Sequence, residues 1–199
     1  GLKGGKIVMP GDVSSQYLSS LLMIAPKLEG GLELAWEGTL VSRPYLAMTL
    51  NLMAQFGIKY HWNDNSIQVE EGDYIGKSFF VEGDWSAASY YYAIAALADS
   101  AEIELQGLSE ESVQGDAVIA EMMEDLGVVS SFDNENNSVT LMNTGSCVDS
   151  FEYDFLECPD LAQTLVSVLT ALKVKSTFTG LSKSRNAGAD AARGAFASQ

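Results

Sequence analysis

Apolar and polar positions run through the same order twice along this chain. Residues 6–9 read as a short strand, and 15–28 carries apolar residues on most of its faces, as a buried helix does. Residues 31–37 alternate through Leu32, Leu34 and Trp36, the pattern of a half-exposed strand. Ser42-Arg43-Pro44 supplies an N-cap with proline just inside a helix start, and that helix runs to Phe56 and closes at Gly57. Two strands, 58–62 and 66–69, flank the hairpin residues Asn63-Asp64-Asn65. The second round predicts a strand at 78–81, a helix at 86–97, a strand at 101–106 and a helix at 114–126 that stops at Gly127. Strands 128–132 and 138–141 then bracket residues 133–137. A third round opens with a strand at 151–155, a helix at 161–172 and a strand at 175–179.

The repetition is also visible residue by residue. Gly11-Asp12-Val13-Ser14-Ser15-Gln16-Tyr17 returns as Gly83-Asp84-Trp85-Ser86-Ala87-Ala88-Ser89-Tyr90, 72 residues later. Gly57 and Gly127 are 70 apart, and Gly107-Leu108 recurs as Gly180-Leu181 at an offset of 73. A period of about 70 is too long for the common solenoids. Each unit reads β-α-β-α-β-β, which places helices beneath sheets in an α/β fold. Acidic joints near Gly72-Asp73 and Asp149 divide the chain into units 1–71 and 72–148, a partial unit 149–181, and a tail 182–199 of small residues. That tail has the look of vector-derived or out-of-frame sequence.

A glycine-acidic-hydroxyl turn opening a helix leaves backbone N–H groups and the positive dipole end beside small hydroxyls, which suits an anion. The first copy is the richer in polar groups, so it is expected to bind while the second keeps the fold. Composition narrows the partners. The chain has 199 residues, enough for one large domain or two small ones, and 47% are hydrophobic, ample for a core. Its 27 acidic residues outweigh 11 basic ones, a net charge of −16 that argues against nucleic acid and anionic membrane as partners. Cys147 and Cys158 lack metal-ligand spacing and read as buried free thiols of a reducing compartment. No apolar run reaches bilayer length and no leader pattern is present, so a cytoplasmic location is expected.

With these motifs in order, the chain resembles the 5-enolpyruvylshikimate-3-phosphate synthase family over about residues 4–181. The resemblance is carried by Gly11-Asp12-Val13-Ser14-Ser15-Gln16, Leu40-Val41-Ser42-Arg43-Pro44-Tyr45, Val81-Glu82-Gly83-Asp84-Trp85-Ser86-Ala87-Ala88-Ser89-Tyr90, Gln114-Gly115-Asp116 and Pro159-Asp160. It implies the two-lobed enolpyruvyl transferase fold, truncated here: 1–71 as the last unit of one lobe, 72–148 as the first unit of the other and 149–181 as the opening of the next. The implied reaction moves the enolpyruvyl group of phosphoenolpyruvate onto shikimate 3-phosphate, with no metal or organic cofactor. The family's phosphoenolpyruvate-gripping lysine and arginine have no counterpart here. Past Leu181 its basic segment is replaced by Ser182-Lys183-Ser184-Arg185, so the chain is expected to be a central fragment, inactive alone, with apolar faces through which it self-associates.

The resemblance assigns Ser14, Ser15, Gln16, Ser42 and Tyr45 to binding shikimate 3-phosphate, and Asp160 to catalysis as the base that takes the proton of its 5-hydroxyl. Each has a plainer alternative. Ser14 and Ser15 suit a helix cap, Ser42 a second cap with Tyr45 half-buried behind it, and Asp160 an N-cap carboxylate. Arg43 could meet a phosphate or lie exposed. Asp12 and Asp84 read as structural turn carboxylates, His61 as an exposed strand position and Tyr90-Tyr91-Tyr92 as packing. Two other functions compete: the related transferase acting on UDP-N-acetylglucosamine, and a non-catalytic binding or scaffold domain.

Overall fold

The computed structural model describes residues 1–181, so the atypical tail at 182–199 lies outside the described residues. The chain divides into two compact units, the first ending at Phe79 and the second beginning at Phe80.

The first unit follows the anticipated order in full. Strand β1 (Lys3–Pro10) pairs in parallel with β2 (Glu29–Glu37), joined by helix α1 (Ser15–Ile24) and a 3-10 turn (Ala25–Lys27). Helix α2 (Arg43–Gln55) then leads to the hairpin β3 (Tyr60–Asn63) and β4 (Ser66–Val69), and the sheet order is β1-β2-β4-β3. Parallel strands need a crossover, and a helix supplies it. Leu18 and Leu22 of α1 and Leu46 and Leu50 of α2 form one core with Leu32, Leu34 and Ile67 of the sheet. Helix α1 departs from the fully buried helix expected: Tyr17, Met23 and Ile24 are exposed, and burial is confined to one face. An apolar residue on a helix does not by itself fix which face is covered.

In the second unit, α3 (Trp85–Leu97) precedes β5 (Glu102–Gln106), and a 3-10 turn (Gly115–Val118) leads into α4 (Ile119–Glu124). Strands β6 (Val128–Asp133) and β7 (Ser138–Asn143) complete an antiparallel sheet ordered β5-β7-β6, the counterpart of β2-β4-β3. Gly57 and Gly127 end their helices at φ +88° and +84°, left-handed values that glycine adopts freely. The expected strand at 78–81 is absent. Phe80 and Val81 are exposed and residues 78–81 join no sheet, so the outer edge of β5 lacks the neighbour that β1 gives β2. β-prone composition forms a strand only where a ladder and a packing surface receive it. One bond of that missing pairing is nonetheless made: Gly83 N–H donates to the Gly107 carbonyl at 2.6 Å, as Gly11 N–H does to Glu37 at 2.8 Å.

A second crossover closes this unit. Strand β8 (Ser150–Asp154), a 3-10 turn (Pro159–Leu161), α5 (Ala162–Leu172) and β9 (Lys175–Thr179) make a parallel pair with its helix. Leu161 of the turn, Leu165 and Val168 of α5 and Trp85 and Tyr92 of α3 are buried in a core shared with β6, β7 and β8. Of the tyrosine triplet only Tyr92 is interior, where its hydroxyl meets Ser130 Oγ at 2.7 Å; Tyr90 and Tyr91 are exposed. The helices expected at 114–126 and 161–172 each begin as a 3-10 turn, a frequent way to tighten a helix start.

Candidate functional site

Parallel pairing sets where the polar residues gather. β1 and β2 run the same way, so both chains leave the sheet at the same end, and both turn there into a helix. The connecting loops are tied to each other. Gly11 N–H donates to Glu37 O, and Val41 N–H donates to Gly11 O at 3.1 Å. A side chain on Gly11 would stand 2.6 Å from the Thr39 carbonyl oxygen, so only glycine allows this approach. The result is that the starts of α1 and α2, with Ser14, Ser15 and Gln16 on one and Ser42, Arg43 and Tyr45 on the other, lie at one edge outside the carboxyl ends of parallel strands. Open α/β sheets bind ligands at such edges. Neither helix carries an acidic residue in its first turn, which leaves both positive dipole ends unopposed there.

Ser14 is the N-cap of α1, and its hydroxyl accepts from Gln16 N–H at 3.4 Å, a long bond that leaves the hydroxyl proton available. Ser15 is half-buried at the first helical position and Gln16 is exposed. Asp12 is exposed and does not cap the helix, whereas Asp84, its repeat partner, is the N-cap of α3 and accepts from Ala87 N–H at 3.1 Å. The remaining polar groups of the second copy are also engaged within the fold. Ser86 donates to the buried Asp116 carboxylate, Ser89 meets Thr164, and Gln114 Oε1 accepts from Trp85 N–H.

Ser42 departs from the expected cap. It precedes α2 but its hydroxyl makes no capping bond, and its backbone is left-handed at φ 57°. A non-glycine residue held there costs roughly 1–2 kcal/mol. Ser42 is buried, 9% exposed, and its carbonyl oxygen accepts from Tyr45 N–H at 3.2 Å. Arg43 lays its guanidinium over the Trp62 ring, 5.1 Å from the centroid, and Trp62 in turn meets Trp36 edge-on. This cation–π contact holds Arg43 to β3.

Asp160 belongs to the second unit, at the equivalent point of the β8-α5-β9 crossover. It is exposed and is the middle residue of the 3-10 turn, whose N-cap is Cys158. The N-cap of α5 is Leu161, so Asp160 is not the cap carboxylate that its place after Pro159 invites. His61 is exposed, 3.8 Å from Glu70. Among the described residues no group of three or more His, Cys, Asp or Glu is gathered to hold a metal, and no helix is long and apolar enough to cross a membrane.

The two cysteines are free, and only Cys158 is buried; Cys147 is exposed, against expectation. Burial pushes the Cys158 thiol up to about 11, helped by the nearby negative charges of Asp116, Glu157 and Asp154 and opposed by its bond to the Tyr153 hydroxyl. The folded thiol therefore keeps its proton beyond the ordinary value of 9.0, and the stability this brings is full below that pH and lost as pH rises through about 11. Maleimide at pH 8 is expected to modify Cys147 alone in the folded chain, and Cys158 only in denaturant, as read by intact mass.

The comparisons decide the family. The family model for EPSP synthase (3-phosphoshikimate 1-carboxyvinyltransferase) matches residues 1–194. The chain belongs to the EPSP synthase family. It is 48% identical over 181 residues to the 3-phosphoshikimate 1-carboxyvinyltransferase of Bacteroides fragilis, covering 90% of this chain and 44% of that one. The enzyme of the same name from Idiomarina loihiensis is 40% identical over 168 residues, covering 83% of this chain and 38% of that one. Among solved structures, EPSP synthase from Acinetobacter baumannii superposes with a TM-score of 0.63 at 18% identity, over 92% of this chain and 42% of that one. This likeness shows the enolpyruvyl transferase fold. The EPSP synthase relatives are thus spanned over less than half their length.

Proposed function

We propose that this chain supplies part of an enzyme that transfers the enolpyruvyl group of phosphoenolpyruvate to shikimate 3-phosphate, releasing phosphate. The relatives, named 3-phosphoshikimate 1-carboxyvinyltransferases, favour this acceptor over a UDP-sugar, and favour an enzyme over a scaffold. On this reading residues 1–71 are the last unit of one lobe, 72–148 the first unit of the other and 149–181 part of the next. Ser14, Ser15, Gln16, Ser42 and Tyr45 hold shikimate 3-phosphate, and Asp160 takes the proton of its 5-hydroxyl as that oxygen attacks phosphoenolpyruvate.

The observation that carries the reading is the contrast between the two copies of one motif. In the second copy Asp84 and Ser86 are spent on internal bonds; in the first, Ser14 makes only a long 3.4 Å cap bond, and it stands with Ser15 and Gln16 at an edge with the α2 start beside them. Hydroxyls and an amide at two helix starts donate to a phosphate without adding charge. Ser42 keeps a left-handed backbone where glycine would cost less, which favours a use for its hydroxyl.

Calorimetry with shikimate 3-phosphate tests this on the chain itself. Saturable binding is expected, and Ser15→Ala should weaken it about tenfold or more, the loss of one donor to a charged group. Absence of binding to the folded chain, or equal affinity in the variant, counts against the assignment. Catalysis is tested in a chimera: the Bacteroides fragilis enzyme with its 181 matched residues replaced by those of this chain.

A further inference from the structure

Two hydroxyl pairs join neighbouring helices, α1 with α2 in the first unit and α3 with α5 in the second. In the first, Thr49 Oγ1 lies 3.1 Å from Ser19 Oγ and 3.0 Å from the Tyr45 carbonyl oxygen, sharing its single proton between them. In the second, Ser89 Oγ and Thr164 Oγ1 are 2.9 Å apart, and Ser89 Oγ is also 2.7 Å from the Ser86 carbonyl oxygen. Ser19 and Ser89 are each the fifth residue of their helix, α1 and α3. Each threonine stands four residues, about one turn, beyond a candidate site residue: Thr49 after Tyr45 and Thr164 after Asp160.

The chemistry of the Ser89–Thr164 pair is unlike its setting, while Ser19 and Thr49 are half-buried. Ser89 and Thr164 are 1% and 4% exposed, among Trp85, Tyr92, Leu161, Leu165 and Val168. A hydroxyl pair there adds little net stability over a methyl pair of similar shape, because both groups surrender bonds to water. What it adds is direction. Apolar contacts tolerate a helix that turns or slides by a fraction of an ångström, whereas a hydrogen bond weakens steeply off its geometry. One turn nearer the N-terminus, that rotation is the aim of Tyr45 or Asp160.

We infer that Ser19–Thr49 and Ser89–Thr164 are positioning clasps, fixing the rotation of α2 and α5 and so the aim of Tyr45 and Asp160. The clasps touch no substrate. What they aim rests on the functional reading above; that they order the helix starts does not.

Thr49→Val and Thr164→Val remove a hydroxyl at nearly constant shape, and Thr→Ser at each site restores it as a control that keeps the bond. Hydrogen exchange on the chain itself is the first readout. Thr164→Val should speed exchange over residues 156–166 about tenfold while β6 and β7 stay protected, and Thr164→Ser should not. A uniform rise through the second unit, or none, overturns the clasp. Kinetics in the chimera form the second readout. Thr164→Val should lower kcat about tenfold with KM for shikimate 3-phosphate nearly kept, and Thr49→Val should raise that KM about tenfold with kcat nearly kept. Loss of folding stability with both kinetic constants unchanged overturns the positioning role. If Asp160→Asn in the same chimera turns over normally, the reading of Asp160 as base fails, and the exchange data still decide the clasp.

Discussion

Asp160→Asn in the chimeric enzyme is expected to lower turnover by about 10²–10⁴-fold, the usual contribution of a positioned general base. The amide keeps the size of the side chain and loses the basic oxygen and its charge. Stability should change little, because Cys158 and Leu161, not Asp160, are the cap residues of the turn and of α5. Affinity for shikimate 3-phosphate should be kept or improve, since a carboxylate no longer faces an anionic ligand. A structural role inverts the order, with a lower melting temperature and turnover near wild type. Steady-state kinetics and a thermal melt on the same preparation separate the two. Ser15→Ala supplies the contrast, weakening binding where Asp160→Asn weakens chemistry.

The difference in polar content between the two copies of the motif is legible in the sequence because the repeat puts both on one template. The order of elements in the first unit, the hairpin at Asp64-Asn65 and the glycine stops at Gly57 and Gly127 all follow from local chemistry, and the structure has each of them. Local chemistry fails where the deciding partner is distant. The run Ser78-Phe79-Phe80-Val81 has strand composition, but a strand is a pairing, and nothing in those four residues reports that the edge of β5 stays open. Asp12 and Asp84 differ in where the following helix begins. The two share a motif, yet α3 starts right after Asp84 while α1 starts three residues beyond Asp12.

Ser14 caps α1 as its sequence suggests, but the side-chain caps expected of Ser42 and Asp160 are not made. Ser42 before Arg43-Pro44 has every mark of an N-cap, and proline does stand in the first turn. The left-handed backbone of Ser42 turns its hydroxyl away from the orphan N–H groups, and no sequence rule foretells that angle for serine. The two hydroxyl pairs are harder to read from the sequence. Ser19 and Thr49, or Ser89 and Thr164, are unremarkable polar residues on apolar helices, and only the 2.9 and 3.1 Å separations reveal them. A serine at the fifth position of both α1 and α3 was the available signal.

The chain on its own is expected to release no measurable phosphate from phosphoenolpyruvate and shikimate 3-phosphate, several powers of ten below the chimera. Phosphoenolpyruvate and shikimate 3-phosphate are both anions, and on the proposed reading the chain meets them with neutral donors and a net charge of −16. Arg43 is the one arginine among residues 1–181, and its guanidinium is laid on Trp62. Lys6 and Lys27 are paired with Glu33 and Asp73. A charge-assisted hydrogen bond contributes roughly 1.5–3 kcal/mol. Three such bonds missing from the transition state would slow the reaction about 10³–10⁶-fold, at roughly 1.4 kcal/mol for each factor of ten. The chimera supplies the rest of the relative's length and with it the chance to restore them. A continuous phosphate assay on equal concentrations of chain and chimera makes the comparison. Release by the chain within tenfold of the chimera would show that the groups at the α1 and α2 starts, with Asp160, suffice for the transfer.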